Sequence, residues 1–138
     1  MRYGLCLILA VPGLAFGAEN DAPPRVHAEL QGVAGPDAAA CGEVPLRQKR
    51  TEAAACARRA MKSGKPFWVA FQVQGNDSLL WEGAAGDGRG GYWMILHDSD
   101  ITGGSGGESA YWLWKCKKLR FKRFSDSVVI CHEAPAET

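Results

Sequence analysis

The 138-residue sequence lacks any apolar stretch approaching the ~20 residues that a membrane-spanning helix requires, which excludes a helical span. It also lacks the short motifs that usually announce chemistry. There is no nucleophile elbow, no phosphate-loop spacing with its lysine and no zinc-protease histidine pair. Histidine itself is scarce, with three in the chain. No internal repeat is visible, and net charge is nearly absent at +1, which fits poorly with a nucleic-acid binder. Finally, no aspartate or glutamate occurs before Glu19.

That last absence frames what is present at the N-terminus. Met1, Arg2 and Tyr3 carry one positive charge; Gly4 to Leu14 is apolar apart from Pro12 and Gly13; Ala15, Phe16 and Gly17 supply small residues at the positions a signal peptidase reads. Charge, short apolar core and small-residue site together predict a signal peptide over 1–17, cleaved after Gly17 or Ala18. The expected location is periplasmic or secreted. Cys6 lies inside the apolar core rather than after it, so a lipid anchor is not expected.

Cleavage leaves four of the five cysteines: Cys41, Cys56, Cys116 and Cys131. An even set in an exported chain reads as disulfides. Three pairings are possible; the local ones, Cys41–Cys56 and Cys116–Cys131, are favoured because each closes a short loop. Metal ligation would need reduced thiolates and usually closer spacing. Cleavage also removes Arg2, so 15 basic residues face 15 acids. The balance hides an asymmetry. Asp77, Glu82, Asp87, Asp98, Asp100 and Glu108 crowd the middle of the chain, while Lys115, Lys117, Lys118, Arg120, Lys122 and Arg123 crowd one later run.

Residues 18–40 are rich in Ala, Pro and Gly without a clear period and read as a flexible leader. A single domain is expected over 41–138. Thr51 suits an N-cap, with a helix over Glu52–Lys62 that ends at Gly64 and Pro66. Phe67, Val69, Phe71 and Val73 alternate with Trp68, Ala70, Gln72 and Gln74, the period of a half-buried strand. Further strands are expected at Leu79–Glu82, Tyr92–His97, Tyr111–Cys116 with Leu119–Phe124, and Val128–His132. Gly83–Gly91 and Asp98–Glu108 read as glycine-rich loops. The fold class predicted is α+β, one N-terminal helix on an antiparallel β-sheet of about five strands, stapled by disulfides.

Four constellations bear on function. Asp98-Ser99-Asp100 followed by Gly103 resembles the start of a calcium loop, but Glu108 falls one position short of the closing ligand, so an acidic hairpin loop is the better reading. The basic run places Lys118, Arg120 and Lys122 on one strand face, with Leu119 and Phe121 on the other. Near Trp112 and Trp114 it suits an anionic partner, although an edge strand also uses lysine to block aggregation. Most of the five tryptophans are expected in the core, with Trp68 partly exposed beside Gln72 and Gln74. His97, with Asp98 and Glu108, has the residue types of an acid–base site.

The reading is therefore an exported soluble binding protein, an inhibitor or immunity-type partner of a secreted enzyme. Its candidate binding residues are Lys115, Lys118, Arg120, Lys122, Trp68, Asp98 and Asp100. The alternatives are a small extracytoplasmic hydrolase using His97 and nearby carboxylates, and an anionic-polymer-binding module acting through 115–123. A protein partner is expected, and no cofactor, metal, nucleic acid or membrane span.

Overall fold

A computed structural model describes residues 23–101, 109–123 and 128–133. The segment read as a signal peptide lies outside them, as do 102–108, with Glu108, and Phe124. Two helices and six strands follow in the order α1 (Pro24–Ala34), β1 (Ala39–Val44), α2 (Thr51–Lys62), β2 (Pro66–Gln74), β3 (Leu79–Asp87), β4 (Tyr92–Asp98), β5 (Ala110–Phe121) and β6 (Val129–Glu133). The strands form one sheet in sequence order. β2 to β6 are an antiparallel meander. β1 instead runs parallel to β2, with α2 as the crossover between them. The class is α+β, and the sheet is mixed rather than wholly antiparallel.

The departures from expectation have local causes. α1 falls in the stretch read as a flexible leader, because its apolar stripe is only Val26, Leu30 and Ala34. Pro24 opens the helix, where a missing N–H costs nothing, and Gly35 closes it at φ 94°. β1 gives no strand signal because AACGEV does not alternate, and it does not hold register: its pairing slips between Ala40 and Glu43. Thr51 is inside α2 rather than capping it. Arg50 precedes the helix with near-helical dihedrals, and no side-chain cap bond forms.

β3 extends through what reads as a glycine-rich loop, because small residues are needed where the sheet is covered on both faces. A Cβ on Gly83 would meet Ile95 Cγ2 and Leu30 Cδ1 at 2.6 Å each, and one on Gly86 would meet Phe67 Cε1 at 2.6 Å. The turn itself is shorter, from Gly88 to Gly91.

Two cores result. Phe67, Val69, Phe71 and Val73 pack with Ala53, Ala57 and Ala60 of α2, as the alternation predicts. Trp68 and Ala70, on the reverse face of β2, pack with Val26 and Leu30 of α1 and with Trp81, Ala85 and Ile95. The sheet curls over its α2 face. In a flat sheet β2 and β5 would lie ~14 Å apart, three strand spacings, yet Phe71 and Phe121 meet with ring centroids at 6.2 Å. Both local disulfides are present: Cys41–Cys56 ties β1 to α2, and Cys116–Cys131 ties β5 to β6.

Candidate functional site

β5 is one strand with an irregularity where its charge begins. Cys116 pairs with Glu133 and Lys118 with His132, so Lys117 is an extra residue on β5. Such a bulge keeps a strand paired while re-aiming its side chains. Beyond it Leu119 is buried, and Lys118 and Arg120 are exposed. α1 covers the sheet from β2 to β4 and stops short of this end. The result is an open hollow of about 400 Å³ lined by Lys117, Lys118, Arg120 and His132. Lys115 extends the charge along the strand, its Nζ 5.9 Å from the centre of the Trp93 ring, within cation–π reach.

The structure separates Lys122 from this group. β5 ends at Phe121, and the Lys122 backbone N–H donates to the Val128 carbonyl at 2.8 Å. Its side chain lines a different cleft with Arg50, Arg58 and Arg123. The face shared by Lys118 and Arg120 is thus completed by His132 of β6, which an alternation rule confined to one strand has no means of finding.

The other candidates occupy structural positions. Trp68 is only 4 % exposed. Its indole N–H donates to Gln31 Oε1 at 2.9 Å, and the His27 ring lies 4.5 Å away, centroid to centroid. Helix α1 covers the face expected to be partly open. Of the remaining tryptophans Trp81 is buried, Trp93 and Trp114 are half-buried, and Trp112 is 44 % exposed, so fewer of them are core than composition suggests. Asp98 Oδ1 accepts the Asp100 backbone N–H at 2.9 Å, a local turn. Among the described residues no three His, Cys, Asp or Glu side chains gather as metal ligands.

Three of the acids are either remote from the cationic end or bonded to backbone. Asp98 pairs with Ala110, at the opposite end of β5. Glu82 is buried, and its Oε2 accepts the Val128 and Val129 backbone N–H groups. Asp87 Oδ1 accepts the N–H of Arg89 at 2.7 Å and of Gly91 at 2.9 Å. The Arg89 bond is the main reason its carboxyl is held below the ordinary value. Asp87 and Asp98 are engaged by their own turns and Glu82 by the backbone at the start of β6. Among the described residues, no ion pair involves a cation of β5.

His97 lies between Trp81 of β3 and Tyr111 of β5. Its Nδ1 is buried without a hydrogen-bond partner among the described residues. Burial lowers its pKa below 6.5, and the charge of Arg25 lowers it further, against an opposing effect of Asp98. Adjacent residues of a strand face opposite ways, so Asp98 is directed to the other face from His97.

The fold and this surface define an α+β domain with two disulfides and a cationic end. Comparison with protein-family models, with curated proteins and with solved structures finds no match.

Proposed function

We propose that this chain is an exported, soluble binding protein that engages an acidic protein partner through the cationic end of β5 and β6, in the manner of an inhibitor or immunity-type partner of a secreted enzyme. The observation that carries the reading is the single hollow formed by Lys117, Lys118, Arg120 and His132. Two strands and a bulge assemble it, and the carboxylates of Glu82, Asp87 and Asp98 accept backbone N–H groups. Cations held on a rigid sheet steer an acidic partner and raise its association rate more than its affinity. Export is supported by the N-terminal charge, apolar run and small-residue site, and two disulfides are compatible with an oxidising compartment. The His97 arrangement supports hydrolysis less well, since its imidazole has no carboxylate partner among the described residues.

The test is affinity capture from periplasm and culture medium with wild-type protein and with a Lys117→Glu, Lys118→Glu, Arg120→Glu variant, followed by binding across a salt series. A stoichiometric acidic protein whose association slows at least tenfold in the variant, with a shallower salt slope, supports the reading. A partner bound equally by the variant refutes it. Retention of anionic polysaccharide instead of protein would favour the polymer-binding alternative. Intact mass of the mature chain, expected to begin at Ala18 or Glu19, checks export.

A further inference from the structure

The second basic hollow shares no lining residue with the first. One wall is a face of α2, where Thr51, Ala54 and Arg58 follow one another at helical spacing; Arg50 stands just before the helix, and Lys122 and Arg123 close the other side. The enclosed volume is about 360 Å³, at the small end of the range for small-molecule sites. Among the described residues four cations line it and no acid does. Among the described residues, Arg58, Lys122 and Arg123 take part in no ion pair.

The cleft is built rather than incidental. Arg50 donates from Nη2 to the Gln72 carbonyl at 3.0 Å, which fixes its guanidinium. Gln72 is itself buried, and its Oε1 accepts the Leu46 backbone N–H at 3.0 Å, pinning the segment that leads into α2. Ala54 leaves room where a longer side chain would fill the space. Arg58, Lys122 and Arg123 bring like charges together in a small cleft, and an anion among them lowers their mutual repulsion.

We propose that this cleft binds a compact, multiply charged oxyanion: a phosphorylated small molecule, or a polycarboxylate presenting the same charge. Arg50 and Arg58 provide the planar donor forks that suit phosphate and carboxylate oxygens. Lys122, Arg123 and the Thr51 hydroxyl complete the shell. The site is independent of the protein-binding surface on β5 and β6, and either proposal stands if the other fails.

The experiment is calorimetric titration of the oxidised full chain at low ionic strength with pyrophosphate, and in a second arm with citrate. One-to-one binding is expected. Arg58→Ala and Lys122→Ala should each weaken it about tenfold, the effect of losing one charge-assisted contact, while Lys118→Ala in the other hollow should leave it unchanged. Arg123→Gln, at an exposed position outside both cores, gives a second reading if Arg58→Ala fails to fold. Tighter pyrophosphate binding assigns a phosphorylated ligand, and tighter citrate binding a carboxylate one. Failure of the wild type to bind either anion at 1 mM would overturn the proposal, as would equal weakening by Lys118→Ala.

Discussion

Glu82 on β3 binds the backbone of Val128 across the curled face of the sheet, with Oε2 2.8 Å from the Val128 nitrogen and 3.0 Å from that of Val129. The carboxylate is 5 % exposed, and it joins strands that are not neighbours in the sheet order. Charge-assisted bonds to a buried carboxylate contribute about 1.5–3 kcal/mol, and their removal takes a shared acceptor away from two buried backbone N–H groups. Glu82→Ala should therefore lower stability by about 2–4 kcal/mol in denaturant melts. Amide exchange at Val128 and Val129 should accelerate more than exchange in β2. Glu82→Gln keeps an acceptor and should cost less.

Gly83 is a test of close packing. The two side chains that a Cβ would meet, Ile95 and Leu30, are themselves fully buried. Gly83→Ala should destabilise by about 1–3 kcal/mol through overpacking. The same substitution at Gly32, where a Cβ meets nothing within 4 Å, should be neutral or stabilising, since alanine favours a helix interior. A thermal melt of the two variants side by side checks the contrast.

Phe71 fills the centre of the α2 core with no exposed surface. Phe71→Ala should cost about 3–5 kcal/mol, as fully buried rings do. A loss below about 1 kcal/mol would show that this face is not the core.

The fold's legible part was the strand carrying Phe71. Strict alternation over Phe67–Val73 marks which side chains meet α2, and loop length alone favours the observed disulfides. The α1 core was not legible, because its helix buries only Val26, Leu30 and Ala34, with Val33 partly buried, spread over nine positions among small and polar residues. Gln72 and Gln74 give the Trp68 face a polar look, whereas α1 covers Trp68 and Gln72 is itself buried. At the candidate surface the charge of Lys118 and Arg120 was evident, but His132 joins them only through pairing in space, and the Arg50 and Arg58 cleft joins residues more than sixty positions from Lys122. Periodicity reports neighbours along an element and is silent on neighbours across the fold.

His97 gives a pH prediction with a definite sign. Its native pKa lies below 6.5, so as pH falls through 6.5 the unfolded chain takes up a proton that the native protein refuses. Stability therefore declines from pH 6.5 downward until the native imidazole also titrates. His97→Gln should flatten this part of the stability profile relative to wild type. Urea melts between pH 8 and pH 4.5 are the check, a window that avoids the acid region where Asp87, with its pKa lowered from 3.8, contributes a separate loss. An unchanged profile in the variant would show that His97 is not desolvated as described.

The two disulfides sit at the two ends of the strand order. Cys41 holds β1, the first strand of the sheet, and Cys131 holds β6, the last. Each staple therefore guards a border. Thiol reduction would leave the β2–β5 meander paired through its own backbone and would release its outer strands first. The newly bared rims of β2 and β5 would offer unpaired N–H and C=O groups to any extended chain. Disulfide formation therefore closes both rims of the sheet against adhesion as well as adding stability.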